Sequence, residues 1–436
     1  MRLRFDDAKT YDLHEALRSA EGLAEYVSEV NNVADSGSYD APEASVNLAV
    51  DAELRNRVKA VVAKKVTSEL KYIFVIGIGG SNLGTKAVYD ALYGYRDLEP
   101  ETRPRLVFLD TTNVTILRFY TESILSTLSN VNELLIVSIS KSGGTTETIV
   151  NTEIFVAAAK KRWKTILERL VVITDDGSAF AQAAYEQHVT YLTIPKQVGG
   201  RYSVLSAVGL FPLCALGVDI DALHQGASDI RSYCLNDDLA HNPAAQSAAV
   251  VAYHHQSGKI ISDTFVFNSE LESLGKWYRQ LLGESIGKEH DVDGNQVFTG
   301  ITPTVSVGST DLHSVGQLYL GGPKDKLTTF VYSTDESQKL LVPNERTFSS
   351  VVEMVNGKTT NDVMSAILEG VKIAYNKQQV PFMSVELASI TPYEIGAFMQ
   401  FKMMEMMYLG KLLNVNPFDQ PNVESYKLET KRILEK

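Results

Sequence analysis

Residues Leu134–Ile139 read LLIVSI, and the next nine, Ser140–Thr148, read SKSGGTTET before a helical pattern takes over. Six apolar or small residues, mostly β-branched or leucine, suit a strand buried on both faces, as in a parallel sheet. The nine that follow hold six hydroxyl or lysine side chains around two glycines and open a helix over Thr146–Arg162. Strand, glycine loop and helix in that order are half of a βαβ unit.

Working outward, the same grammar repeats. Tyr72–Ile76, Arg105–Leu109 and Leu170–Thr174 read as strands, with Leu83–Tyr93 and Ala179–Gln187 as helices. A second cycle starts near Ser203, with helices over Ser203–Leu216, Ile220–Tyr233 and Pro243–His255. Strands are expected at Lys259–Phe267, Thr304–Val307, Leu327–Tyr332 and Phe382–Leu387. Residues 1 to 65 carry helical periodicity and are expected to pack outside the first sheet. The expected fold is α/β with two doubly wound parallel-sheet domains, an N-terminal helical segment and a C-terminal helical tail. The boundaries are 1–65 for the helical segment, 66–200 for the first domain and 201–436 for the second with its tail. Pro392–Leu413 is a helix whose Met403, Met404, Met406 and Met407 are expected to serve packing and not a cofactor.

Composition narrows the function classes. The formal net charge of −12 excludes a general basic surface for nucleic acid or anionic membrane, yet leaves room for a small phosphorylated ligand. Two cysteines, Cys214 and Cys234, do not make a disulfide framework and fit a reducing compartment. The amino end, MRLRFDD, has no signal-like apolar run, and Ser203–Ile220 reads as a buried helix broken by Pro212. The expectation is a cytoplasmic protein.

Three loops carry chemistry. Gly77–Gly84, GIGGSNLG, follows a strand and opens a helix, where free amides and the helix dipole favour an anion. It is neither a dinucleotide fingerprint, which would need glycine at Asn82, nor a P-loop, which would need lysine at Thr85 where Lys86 comes one place late. Anion site and tight turn both remain open for it. Ser140–Thr146 is more specific: hydroxyls, freed amides and a helix N-terminus converge on one volume, as a phosphate dianion requires. With no acidic pair for magnesium beside it, the phosphate is expected to be held and not transferred. Gly199-Gly200-Arg201 brings a permanent cation to the junction of the two cycles, either toward a ligand or as an ion pair locking domains.

These segments resemble the phosphoglucose isomerases, which are built from two sugar-isomerase (SIS) domains. Gly199–Gly217 (GGRYSVLSAVGLFPLCALG) and Phe418–Lys427 (FDQPNVESYK) are similar to family signatures. Val137–Thr148 looks like the family's phosphate loop and Glu270–Glu289 (ELESLGKWYRQLLGESIGKE) like its catalytic helix. The resemblance implies reversible aldose–ketose isomerisation of glucose 6-phosphate and fructose 6-phosphate through a cis-enediolate, in glycolysis and gluconeogenesis. It assigns Glu284 as the base that moves the proton between C2 and C1, with Gln280 one turn earlier on the same face. Without the resemblance, Glu284 would read as a solvated helix charge beside Glu272 and Glu289. By the same carry-over, His313 assists ring opening and comes from the neighbouring subunit of a homodimer, alone or within a higher oligomer. Lys427 reaches O5 and O1, Arg201 stabilises the enediolate, and Gly79, Gly80, Ser81, Ser140, Lys141, Ser142 and Thr145 bind the substrate. Asn422 stands where the family usually has glycine, which bears on the placement of Lys427. No metal or cofactor is implied, and the partner is a hexose 6-phosphate, not nucleic acid or membrane. A non-catalytic SIS-type sugar-phosphate sensor is the alternative; it needs the Ser140 loop but not Glu284, Arg201, His313 and Lys427 together. An amidotransferase would need a nucleophilic cysteine within Met1–Asp40, which has none.

Overall fold

The computed structural model describes residues 1–94 and 104–436. Strand β1 is Arg2–Arg4. The first sheet uses β2 (Tyr72–Ile76), β3 (Arg105–Leu109), β4 (Leu134–Ile139), β5 (Leu170–Asp175) and β6 (Thr190–Ile194). Their spatial order is β3-β2-β4-β5-β6, all parallel. The chain leaves β2 to one side and returns for β4 on the other, so the switch point lies between them. Ligands of doubly wound sheets bind at the carboxyl ends of such a pair. The Gly77 and Ser140 loops sit there.

The second sheet repeats this winding. It uses β7 (Ile261–Val266), β10 (Thr302–Val307), β11 (Lys326–Ser333) and β12 (Phe382–Leu387) in the order β10-β7-β11-β12, with β1 added antiparallel to β12. Between them β8 (Lys288–His290) and β9 (Gln296–Thr299) form a separate hairpin. Period-two alternation divides the core. Ile73 and Val75 face a large central cluster shared with Leu281, Leu282, Val331 and Val385. Phe74 and Ile76 face an outer cluster with Phe155, and Phe265, Phe330 and Phe382 fill a third beyond the second sheet. The helix after β2, Leu83–Tyr93, packs on the helix after β7, Glu272–Ile286, so corresponding parts of the two windings meet at the centre.

Most expected elements form within one or two residues of their ends. The N-terminal segment differs. It begins with a strand, β1, and its helices Leu13–Arg18 and Leu23–Ser36 pack on helices Pro243–Gln256 and Pro392–Leu412 of the second half. Ala52–Lys65 packs on Ala207–Leu216. Arg231 donates to the Val46 and Ala34 carbonyls, at 2.9 and 3.1 Å, and fixes this attachment. The Pro392–Leu412 helix buries Met403, Met404, Met406 and Met407 completely, as packing groups. Among the described residues no helix is long and apolar enough to cross a membrane, and Cys214 and Cys234 are free.

Candidate active site

The loop after β4 closes on itself. The Ser140 amide continues the strand pairing to the Ile173 carbonyl at 3.1 Å. Its buried Oγ lies 2.9 Å from Thr145 Oγ1 and accepts from the Thr145 amide at 3.3 Å. Gly143 takes φ +71°, which turns the loop at a point where a Cβ would meet Ser178 at 3.0 Å. Ser142 Oγ accepts the Gly144 amide at 3.4 Å. Thr145 caps the helix with extended backbone but no side-chain bond, leaving the first-turn amides without a side-chain cap. Lys141 does not join this cradle with its side chain: Nζ donates to the Lys196 carbonyl at 2.7 Å and stands 3.8 Å from Asp175. Burial raises the pKa of Asp175, against the pull of Lys141 and Lys196.

The Gly77–Gly84 loop is a joint. A Cβ on Gly77 would lie 2.9 Å from Ser81 Cβ and 3.0 Å from the Ile139 carbonyl, so the loop touches the end of β4 there. Gly79, at φ +60°, would press a Cβ to 2.9 Å from Gln280 Nε2. A Cβ on Gly80 would fall 2.2 Å from the Gly200 carbonyl carbon and 2.6 Å from the Arg201 nitrogen. Turn and close approach are therefore both required, and they bring the first sheet's loops against Arg201 and the helix Glu272–Ile286.

On that helix Gln280 Nε2 donates to Glu284 Oε1 at 3.1 Å, as the four-residue spacing allows. Gln280 Oε1 is buried without a partner, an acceptor left open to a donor in the cleft. Arg201 Nη1 stands 3.6 Å from Glu284 Oε2; the arginine side chain is 3% exposed and the glutamate 32%. The rest of the guanidinium is fully used. Nε donates to Ser285 Oγ at 2.8 Å, Nη1 to Gln420 Oε1 at 3.1 Å, and Nη2 to the Pro417 and Asp419 carbonyls at 2.5 and 3.1 Å. Arg201 thus faces Glu284 and ties together segments distant in sequence, all of them within residues 201–436.

Ser285, Gln420 and Lys288 were not singled out by sequence. All three lie inside the quoted tracts, but nothing local marks which partners they meet. Lys288 Nζ, nearly buried, donates to the Glu284 carbonyl at 2.9 Å and the Asp419 carbonyl at 2.6 Å, and pairs with Asp419 Oδ1 at 3.0 Å. Burial lowers its pKa, and Asp419 opposes the shift.

Two expected residues stay outside the cluster. His313 ends the exposed turn Thr310–His313 beyond β10, and its imidazole bonds to no described residue. Lys427 is exposed on the helix Val423–Leu434, paired at 2.7 Å with Glu424. That helix buries none of its residues. Asn422 adopts φ −67°, so no left-handed residue is required where the family has glycine; its amide instead donates to Glu289 at 2.7 Å. Among the described residues no group of three His, Cys, Asp or Glu side chains is placed to hold a metal.

Two sheets wound alike, with a hydroxyl-rich loop at the switch point of the first and an Arg–Glu–Gln cluster against the neighbouring glycine loop, define a tandem α/β protein. The phosphoglucose isomerase family model matches residues 13–436, and the chain belongs to that family. It is 34% identical to a glucose-6-phosphate isomerase of Carboxydothermus hydrogenoformans over 85% of this chain and 80% of that one. It is equally identical to one of Methanocaldococcus jannaschii, over 81% and 82%. Among solved structures, a hypothetical protein of Thermus thermophilus superposes with TM-score 0.88 at 29% identity over 99% of both chains. A glucose-6-phosphate isomerase of Chlamydia trachomatis shares the fold at TM-score 0.76 and 21% identity, over 90% of this chain and 75% of that one.

Proposed function

We propose that this protein interconverts glucose 6-phosphate and fructose 6-phosphate through a cis-enediolate, with Glu284 as the base. The observation that carries the reading is the contact set around Glu284. Gln280 holds one carboxylate oxygen at 3.1 Å, and Arg201 faces the other at 3.6 Å. A carboxylate so oriented takes a proton at C2 and returns it at C1, a step general bases accelerate by about 10²–10⁴-fold. The fixed guanidinium stabilises the oxyanion without titrating. Ser140, Ser142, Thr145, Ser81, Gly79 and Gly80 receive the remote phosphate, which orients the reacting carbons against Glu284. Lys141 contributes there through its backbone, or after its ammonium leaves Lys196. Residues 66–200 and 201–436 act as two units, each sheet having its own switch point, while β1 ties segment 1–65 to the second.

His313 and Lys427 complete the acid–base set for ring opening in a homodimer. The unpartnered imidazole and a tail helix exposing Tyr426, Leu428 and Ile433 support that arrangement. The setting is cytoplasmic sugar-phosphate metabolism, glycolysis and gluconeogenesis, consistent with two free thiols. Purified protein is assayed on glucose 6-phosphate with a coupled dehydrogenase reporting the ketose. Turnover that Glu284→Gln abolishes, with substrate affinity kept, is expected. Binding without turnover in the wild type would favour the sensor instead.

A further inference from the structure

We propose that Lys288 is a positioning residue for the base: it staples the end of the helix Glu272–Ile286 to the segment Asn416–Asn422. This rests on the reading of Glu284 given above. The side chain leaves β8 and turns back along the helix axis, and its ammonium meets the carbonyl of Glu284 itself at 2.9 Å. From the other side it takes the Asp419 carbonyl at 2.6 Å and carboxylate at 3.0 Å. Last-turn carbonyls of a helix lack intrahelical donors, and a cation there satisfies one and complements the helix dipole. Here the satisfied carbonyl belongs to the residue whose carboxylate does the chemistry.

The segment it holds needs holding. Asn416–Asn422 borders a cavity of about 550 Å³, also lined by Tyr26, His290 and Val415, so that flank is not close-packed. Its other ties run to Arg201, through Pro417, Asp419 and Gln420, to Tyr202, whose ring lies 5.7 Å from that of Phe418, and from Asn422 to Glu289. Arg201 faces Glu284 in turn. Lys288 and Arg201 therefore both grip one segment, and both reach Glu284, Lys288 at its carbonyl and Arg201 at its carboxylate. Without the ammonium, Glu284 keeps its Gln280 contact but loses the fixed end of its helix and the register of the segment that Arg201 grips. The phosphate loop after β4 belongs to the other sheet and makes no contact with Lys288, so ground-state binding is expected to survive.

The test compares Lys288→Met, which keeps the stem and removes the charge, with Lys288→Arg, which restores a cation and its donors. Coupled isomerase kinetics give kcat and KM separately, with Glu284→Gln and wild type in parallel. The expected result is a fall of at least tenfold in kcat for the Met variant, KM within about twofold, and partial recovery in the Arg variant. A Met variant within twofold of wild type in kcat, or one whose loss lies in KM alone, overturns the proposal. So does a kcat loss of equal size in both variants. Should the Met variant not fold, Lys288→Gln is read by the same criteria. Active wild type and inactive Glu284→Gln beside a normal Lys288→Met would discard the staple alone; inactive wild type would discard the functional reading itself.

Discussion

Gly80→Ala puts the joint between the two halves to the sharpest test. The added Cβ would lie 2.2 Å from the Gly200 carbonyl carbon, 2.4 Å from its oxygen and 2.6 Å from the Arg201 nitrogen. All three are backbone atoms, so no rotamer change relieves the overlap. To reach the 3.4 Å of ordinary contact, the Gly80 loop and the Gly200–Tyr202 turn must part by about 1.2 Å. Forcing extra volume into a packed contact costs about 1–3 kcal/mol. The displaced group carries Arg201, and a misplacement of about 1 Å in a catalytic constellation costs about 10²-fold in rate. Gly80→Ala is therefore expected to lower kcat/KM about a hundredfold while the thermal midpoint falls by an amount matching about 1–3 kcal/mol. Gly370→Ala is the control: it lies in the exposed helix Thr360–Lys377 with nothing within 4 Å of the new methyl, and is expected to stabilise by about 0.5–1 kcal/mol without touching activity. The assay pairs differential scanning fluorimetry with coupled kinetics. Wild-type kcat/KM in Gly80→Ala would refute the claim that this backbone contact sets the position of Arg201.

Three further outcomes are expected. Lys402 and Glu405 form an ion pair with both side chains wholly buried, 2.9 Å apart, and Glu405 also accepts from Ser247 and, at 3.0 Å, from Tyr278 on the catalytic helix. Lys402→Met leaves that carboxylate without its cation and should cost about 3–5 kcal/mol in chemical denaturation, with an unchanged midpoint counting against it. Asp263, inaccessible in the centre of the second sheet, accepts from Thr304, Ser306 and Tyr319, and its Oδ2 is unpaired; burial raises its pKa. The native state thus favours the protonated acid, and this stabilisation is complete below the ordinary carboxylate range and lost as pH climbs through the raised value. Asp263→Asn should match wild type in acid and gain on it toward about pH 8 in thermal melts, and a gap constant with pH would rule this out. Finally, mixing inactive Glu284→Gln with inactive His313→Ala should regain activity as subunits exchange, up to about a quarter of the wild-type level if half of the chains form hybrids with one intact site. Exchange without recovery would place His313 outside its neighbour's site.

The strand and loop Leu134–Thr148 needed no tertiary information, because apolar runs between hydroxyl–glycine loops state the βαβ grammar locally. From it the α/β class and the ends of most of the expected elements could be read, though not β6 or the helix Thr360–Lys377. Short or polar elements escaped: β1 is three residues, two of them arginine, and becomes a strand only because the edge of β12 is open to it. The same edge carries the amino end to the second half, whereas Ala52–Lys65 packs on Ala207–Leu216, which lies against β2, β3 and β6 of the first sheet. Within the site, the sequence put Gln280 and Glu284 on one helix face and left Arg201 apart from them. The approach of the Arg201 turn and that helix to the first sheet's loop depends on Gly80 admitting the Gly200–Arg201 backbone and Gly79 the Gln280 side chain, which is a property of the packed parts and of none alone. Nothing in the sequence marks Lys288: the Glu284 carbonyl is a local partner four residues back, but Asp419 reaches it only by a chain return of more than a hundred residues. Local patterns fix what each segment is, since they act through the backbone and the nearest few side chains. Which segments share a buried cation is decided only when the two sheets close around it.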